Sequence, residues 1–177
     1  FQTKLKERGG FMGSSFGKIL CYIVSIFVLF IIIPYLFLSQ LESTKETYIY
    51  SMTTDFADKC MSTGQITPEK LEMYSQKVYG MGHYEIKMEH ASKMAFSRDS
   101  GEVEFDYLST GTEQILNSMY LDANDSVPYK MKTGDRIYVT VTKTGQSTSE
   151  KIMDFIGVNV TKQLIVNYGG TVGTTTN

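Results

Sequence analysis

Twenty consecutive residues, Ile19 to Leu38 (ILCYIVSIFVLFIIIPYLFL), contain no charged side chain. A helix rises about 1.5 Å per residue and a bilayer's hydrocarbon core is about 30 Å thick, so a run of this length suffices for one crossing. A buried helix of a soluble domain is rarely apolar on every face, which leaves lipid or further copies of the same helix as surroundings. A cleaved signal peptide begins similarly. Its apolar region, however, spans only about 7–15 residues and ends in a small-x-small site, whereas this run passes into Phe37-Leu38-Ser39-Gln40; a retained anchor is expected.

The flanks set an orientation. Residues 1–18 form a basic, glycine-rich segment in which Lys4, Lys6, Arg8 and Lys18 oppose a single Glu7. Lys and Arg beside a first membrane segment stay cytoplasmic, placing the remainder outside the cell membrane. Inside the run, Pro34 lacks an N–H and strains the preceding turn, predicting a kink or unwound stretch around Ile31–Pro34.

Helical spacing outlasts the apolar run. Leu41, Tyr48, Met52, Phe56 and Cys60 recur three, four or seven residues apart, with Glu42, Lys45, Glu46, Asp55 and Lys59 off that line. One helix is therefore predicted from about Phe16 to Ser62, with 19–38 as its membrane or core half and 39–63 as an amphipathic continuation. Leu41, Tyr48, Met52 and Phe56 are the expected packing residues towards a domain over 64–168, with 169–177 as a polar tail. Cys21 and Cys60 on one helix stand too far apart for a disulfide, so none is expected.

Gly64 ends the long helix, and Thr67-Pro68-Glu69 begins another, with N-cap threonine, Pro at the first position and an acid in the first turn. From His83 the period becomes two. Tyr84, Ile86 and Met88, and later Val103, Phe105 and Tyr107, alternate with polar residues, and Ser97-Arg98-Asp99-Ser100-Gly101 has turn chemistry, predicting an antiparallel hairpin with one apolar face. A helix around Thr112–Leu121 follows, then a strand in which Ile137, Val139 and Val141 point one way. Next come a short helix from Ser149 to Val158 with Ile152, Phe155 and Ile156 inward, and a strand from Lys162 to Tyr168. The fold class is α+β: a long N-terminal helix packed on a small antiparallel sheet.

Chemistry-bearing patterns are sparse. His83 and His90 are the only histidines; His83 with Glu85 could put two ligands on one strand face, but carboxylates and imidazoles on a wet face do this by chance, and a solvated face is the expected reading. GGTVG follows a strand without a helix behind it, so a tail is preferred to a phosphate loop. No nucleophile–base set is present and no enzyme activity or cofactor is expected. A net charge of −2, with Lys and Arg spread among acids, argues against a nucleic-acid binder, and DNA and RNA are not expected partners. Asn124 and Asn159 match glycosylation acceptors.

The basic stretch Lys4 to Gly10, the apolar helix continuing as an amphipathic one, and the segments KTGDRIYVTVT and LIVNYGG together resemble a type IV pilin-like subunit. The layout is most similar to the TadE-like branch of tight-adherence and related conjugation-type systems of Gram-positive bacteria. Type IV pilins carry glutamate at the fifth position after cleavage; counting from Phe1 gives Leu5 and from Phe11 gives Ser15, so processing at those sites is not expected. The resemblance implies a structural role. Ile19, Ile23, Ile26, Phe27, Phe30, Ile31, Pro34 and Leu38 would first face the cell membrane and then, with the help of a pilus assembly machinery, the core of an extracellular homopolymer used in adhesion or conjugation. The alternative expectation is a bitopic assembly factor or sensor with an outer partner-binding domain.

Overall fold

The structure, a computed structural model, describes residues 8–97, 103–120, 126–159 and 163–173. Lys4, Lys6, Asn124, the expected turn at 98–101 and the tail beyond 173 lie outside the described residues. The chain is α+β. Helix α1 (Arg8–Phe27) passes through a π-helical turn (Val28–Ile32) into α2 (Ile33–Thr63), giving 49 continuous helical residues from Ser15. Strand β1 (Gln65–Ile66), α3 (Pro68–Gly80), β2 (Tyr84–Ser97), β3 (Val103–Gly111) and α4 (Thr112–Met119) follow. Then come β4 (Tyr129–Lys130), β5 (Arg136–Lys143), α5 (Thr148–Phe155) and β6 (Ile165–Thr171).

Two compact units result. One comprises the chain up to Ser43 with Gln146–Thr161; the other comprises Thr44–Gly145 with the chain from Lys162. The division differs from the expected one: residues 44–63 of α2 belong with the sheet, and 146–161 leave it.

In the second unit, β3-β2-β5-β6 form an antiparallel sheet, and β1 pairs with β4 in a separate two-stranded ladder. Ile137, Val139 and Val141 of β5 are fully buried, as their alternation predicts. Against them lies a helix face made of Ile49, Thr53, Phe56, Ala57 and Cys60. Thr53 is tolerated there because its hydroxyl donates to the Ile49 carbonyl and shares a second 2.8 Å hydrogen bond with Tyr74. The Phe56 and Tyr74 rings stack at 4.4 Å, and burial pushes the Tyr74 phenol up to about 12. Helix α3 is capped as expected: the Thr67 side chain accepts from the Lys70 N–H and Pro68 stands at its start.

Several expectations are corrected. Met52 and Phe56 pack as predicted, but Leu41 is 44% and Tyr48 49% exposed. The buried stripe passes through Ile49 and Thr53, one residue out of phase with the purely apolar spacing. In the hairpin, Tyr107 pairs with Lys93 and His90 with Thr110. Opposed residues share a face, so Val103, Phe105 and Tyr107 lie on the side away from Met88 and His90. There the Lys93 ammonium sits over Phe105 and the Arg136 guanidinium over Tyr107. Phe155 of α5, expected inward, is 89% exposed.

The expected tail begins too early. Strand β6 continues through Gly169 and Gly170 to Thr171, and Val172 is only 2% exposed. A Cβ on Gly169 would stand 2.0 Å from the Ile137 carbonyl oxygen, so only glycine lets β6 approach β5 this closely. Tyr168 beside it donates to Asp58 at 2.9 Å and meets the Tyr50 ring edge-on, tying the strand to α2. Gly169→Ala should cost about 1–3 kcal/mol, lowering the thermal unfolding midpoint in detergent. Gly173→Ala, where a Cβ meets nothing within 4 Å, should leave it unchanged. Equal midpoints for the two variants would contradict the close-approach account.

Candidate functional site

The helix from Ser15 is long and apolar enough to cross a membrane by length and composition, and its most apolar window is unburied by the rest of the chain. Ile19, Ile23, Ile26, Phe27 and Phe30 are all exposed, as is Pro34; Ile31 and Leu38 are half-buried. Lys18 is exposed one residue before this run, and Arg8 begins the helix.

Pro34 explains the local geometry. Its nitrogen cannot donate to the carbonyl one turn earlier, and the helix answers by widening just before it. Through Val28–Ile32 the bonding is π-helical, and the Ile33 N–H reaches back five residues to the Val28 carbonyl. The predicted disturbance near Ile31–Pro34 is thus a π-turn displaced slightly towards the N-terminus. No apolar pattern in the sequence distinguishes a widened turn from a kink.

After Pro34, helix residues 35–42 show one shielded face: Tyr35, Leu38, Ser39 and Glu42 are half-buried while the residues between them are exposed. These positions are three and four apart and belong to the unit shared with 146–161. In the same unit, α5 starts with a capping box in which Ser147 accepts from the Glu150 N–H and Glu150 accepts from the Ser147 N–H. The Ser149 hydroxyl donates to the Glu42 carboxylate at 2.6 Å.

The cysteines are free. Cys60 is fully buried, and burial pushes its thiol up to about 12, which keeps it protonated and unreactive. Cys21 is exposed within the apolar run.

One polar cluster is buried in the sheet unit. Asp135 accepts from the Lys93 N–H (2.9 Å), the Lys132 N–H (2.7 Å) and His90 Nε2 (3.0 Å). His90 Nδ1 meets the Tyr129 hydroxyl at 2.7 Å. The ring thus bridges the carboxylate and the tyrosine hydroxyl through its two nitrogens. Burial works against the charge on Asp135, but these donors outweigh it and hold the carboxyl below its ordinary 3.8. Burial, with the Asp135 charge adding to it, pushes the Tyr129 phenol up. Every member is satisfied within the cluster, as in an architectural network.

His90 is therefore a core residue, while His83 and Glu85 are exposed, as a solvated face requires. Among the described residues no three His, Cys, Asp or Glu side chains are grouped to hold a metal ion. His90 and Asp135 are 45 residues apart, so no local motif announces their pairing.

No protein-family model, curated protein or solved structure matches this chain.

The Asp135 network predicts a pH signature. A carboxyl whose folded pKa is depressed contributes stability that is present above its ordinary 3.8 and lost as pH falls through the folded value. Asp135→Asn should cost about 2–4 kcal/mol at pH 7 by leaving buried donors unpaired. In urea titrations in detergent, the gap between wild type and variant should narrow below pH 3.8. A gap of constant size would contradict the assignment.

Proposed function

We propose that the chain is a non-enzymatic, pilin-like structural subunit. Its N-terminal helix holds it in the cell membrane with Lys18 and the basic segment before it on the cytoplasmic side, and the same helix then packs against copies of itself in an extracellular filament. The observation that carries this reading is the 49-residue helix whose first half exposes its apolar side chains. Among the described residues, more than a dozen large apolar side chains between Phe16 and Phe37 are exposed.

Burying each contributes about 1.5–3 kcal/mol, so together they outweigh the about 5–15 kcal/mol that stabilises a whole domain. Such a surface does not stay in water, and lipid and like helices are the two media that suit an all-round apolar cylinder. The second half of the same helix is buried by its own domain through Ile49, Phe56 and Cys60. That arrangement leaves a folded head attached to a transferable stem. Residues Ile19, Ile23, Ile26, Phe27 and Phe30 would carry stem contacts, and the pilus assembly machinery and the cell membrane are the partners this reading requires.

Shearing cells and imaging the released fraction tests it. Filaments containing this protein are expected, and co-expressing Ile26→Asp/Phe30→Asp subunits with normal ones should shorten or abolish them. A strictly monomeric protein retained in the membrane would overturn the filament reading in favour of a bitopic assembly factor or sensor.

A further inference from the structure

A short amphipathic segment lies beside the helix where its apolar run ends. Glu42, which binds Ser149, is four residues beyond Leu38, about 6 Å along the axis. The half-buried face of Tyr35, Leu38, Ser39 and Glu42 overlaps the last turn of the uncharged run. The segment from Thr148 to Asn159 shares a compact unit with that stretch. Its own buried residues, Ser149 and Glu150, are polar. Its most exposed large side chain is apolar: Phe155 is 89% exposed, and Val158 beyond it is also exposed. Ile152, Met153 and Ile156 are half-buried while Lys151 and Asp154 are exposed, so Phe155 and Val158 stand out as apolar side chains on the exposed side of an otherwise ordinary amphipathic pattern.

From this placement we propose that α5 and the residues after it form an interfacial anchor. Phe155 and Val158 enter the boundary between headgroups and acyl chains of the leaflet from which the long helix emerges, while the Ser149–Glu42 bond holds the segment to the stem. The occupant is phospholipid rather than a second copy. The Ser149–Glu42 bond places the start of α5 about one turn beyond Leu38, where the uncharged run ends and a spanning helix meets the headgroups. Lys151 and Asp154, both exposed, offset each other in charge, so zwitterionic lipid suffices. The inference rests on the membrane-spanning reading of Ile19–Leu38 and adds a second contact to it.

The chain contains no tryptophan, so one can be introduced as a reporter. Full-length Phe155→Trp, Phe30→Trp and Tyr79→Trp proteins would be reconstituted in phosphatidylcholine vesicles carrying bromine at shallow or deep acyl positions. The Phe155→Trp protein should show blue-shifted emission and lose most of it to shallow bromine, with a smaller loss to deep bromine. The Phe30→Trp protein should be quenched most by deep bromine, and the Tyr79→Trp protein by neither. If Phe30→Trp is quenched and Phe155→Trp emits as in water, the anchor is overturned and the spanning helix stands. Blue-shifted emission at position 155 without quenching by bromine would mean burial against protein, which also overturns it. Loss of quenching at position 30 is the separate sign that the spanning reading has failed.

Discussion

The buried carboxylate of Asp135 is the interaction on which the sheet unit depends. Taking a charge out of water costs several kcal/mol unless donors replace the lost solvent, and here two backbone N–H groups and an imidazole do so. Those donors come from β2 and from the residues leading to β5, so one side chain sets where the two central strands meet. Its own backbone extends the effect: the Asp135 carbonyl accepts from the Val172 N–H, drawing the chain past β6 onto the same turn. Ile137, Val139 and Val141 then fall in register behind it, and the core forms against the α2 face through Phe56 and Cys60.

That core explains why one continuous helix has two kinds of surface. Over 44–63 a domain of the same chain covers its apolar side, and the stripe is narrow enough to admit Thr53. Over 15–37 most of the large apolar side chains stay exposed, with Ile31 and Tyr35 half-buried, and apolar residues occupy every face. The helical hydrogen bonding runs on from one kind of surface to the other, and the change lies in the surroundings of the side chains. The filament and membrane readings both use that change.

Much of this was legible in the sequence where local chemistry decides local structure. The uncharged run, Gly64 as a stop, the Thr67-Pro68-Glu69 cap and the alternation of β5 all depend on residues close together. What escaped depends on partners far away. The stripe through Leu41 and Tyr48 follows from counting apolar residues, whereas the true face includes a threonine that only the Ile49 carbonyl and Tyr74 make tolerable. Phe105 and Tyr107 alternate correctly, but their side of the sheet is set by register against β2, which alternation alone leaves open. Phe155 was expected inward because large aromatics usually are, and Gly169 and Gly170 read as a tail because glycine signals looseness unless a neighbouring strand needs the room. The candidate site was legible as a segment, Ile19–Leu38, but its widened turn was not.

The π-turn has a geometric effect on whatever surrounds the helix. A turn that closes five residues apart accommodates about one additional residue, and one residue corresponds to roughly 100° of rotation about the axis. Side chains before Val28 are thereby indexed differently from those after Ile32, so a straight ridge of neighbouring atoms that follows Tyr35 and Leu38 does not continue onto the positions an unbroken helix would present. Two such helices lying side by side must match both phases at once, and staggering them along their length misaligns one. If copies of the helix pack on one another, the widened turn would act as a vernier mark, singling out particular axial offsets that a uniformly apolar cylinder would leave free to slide.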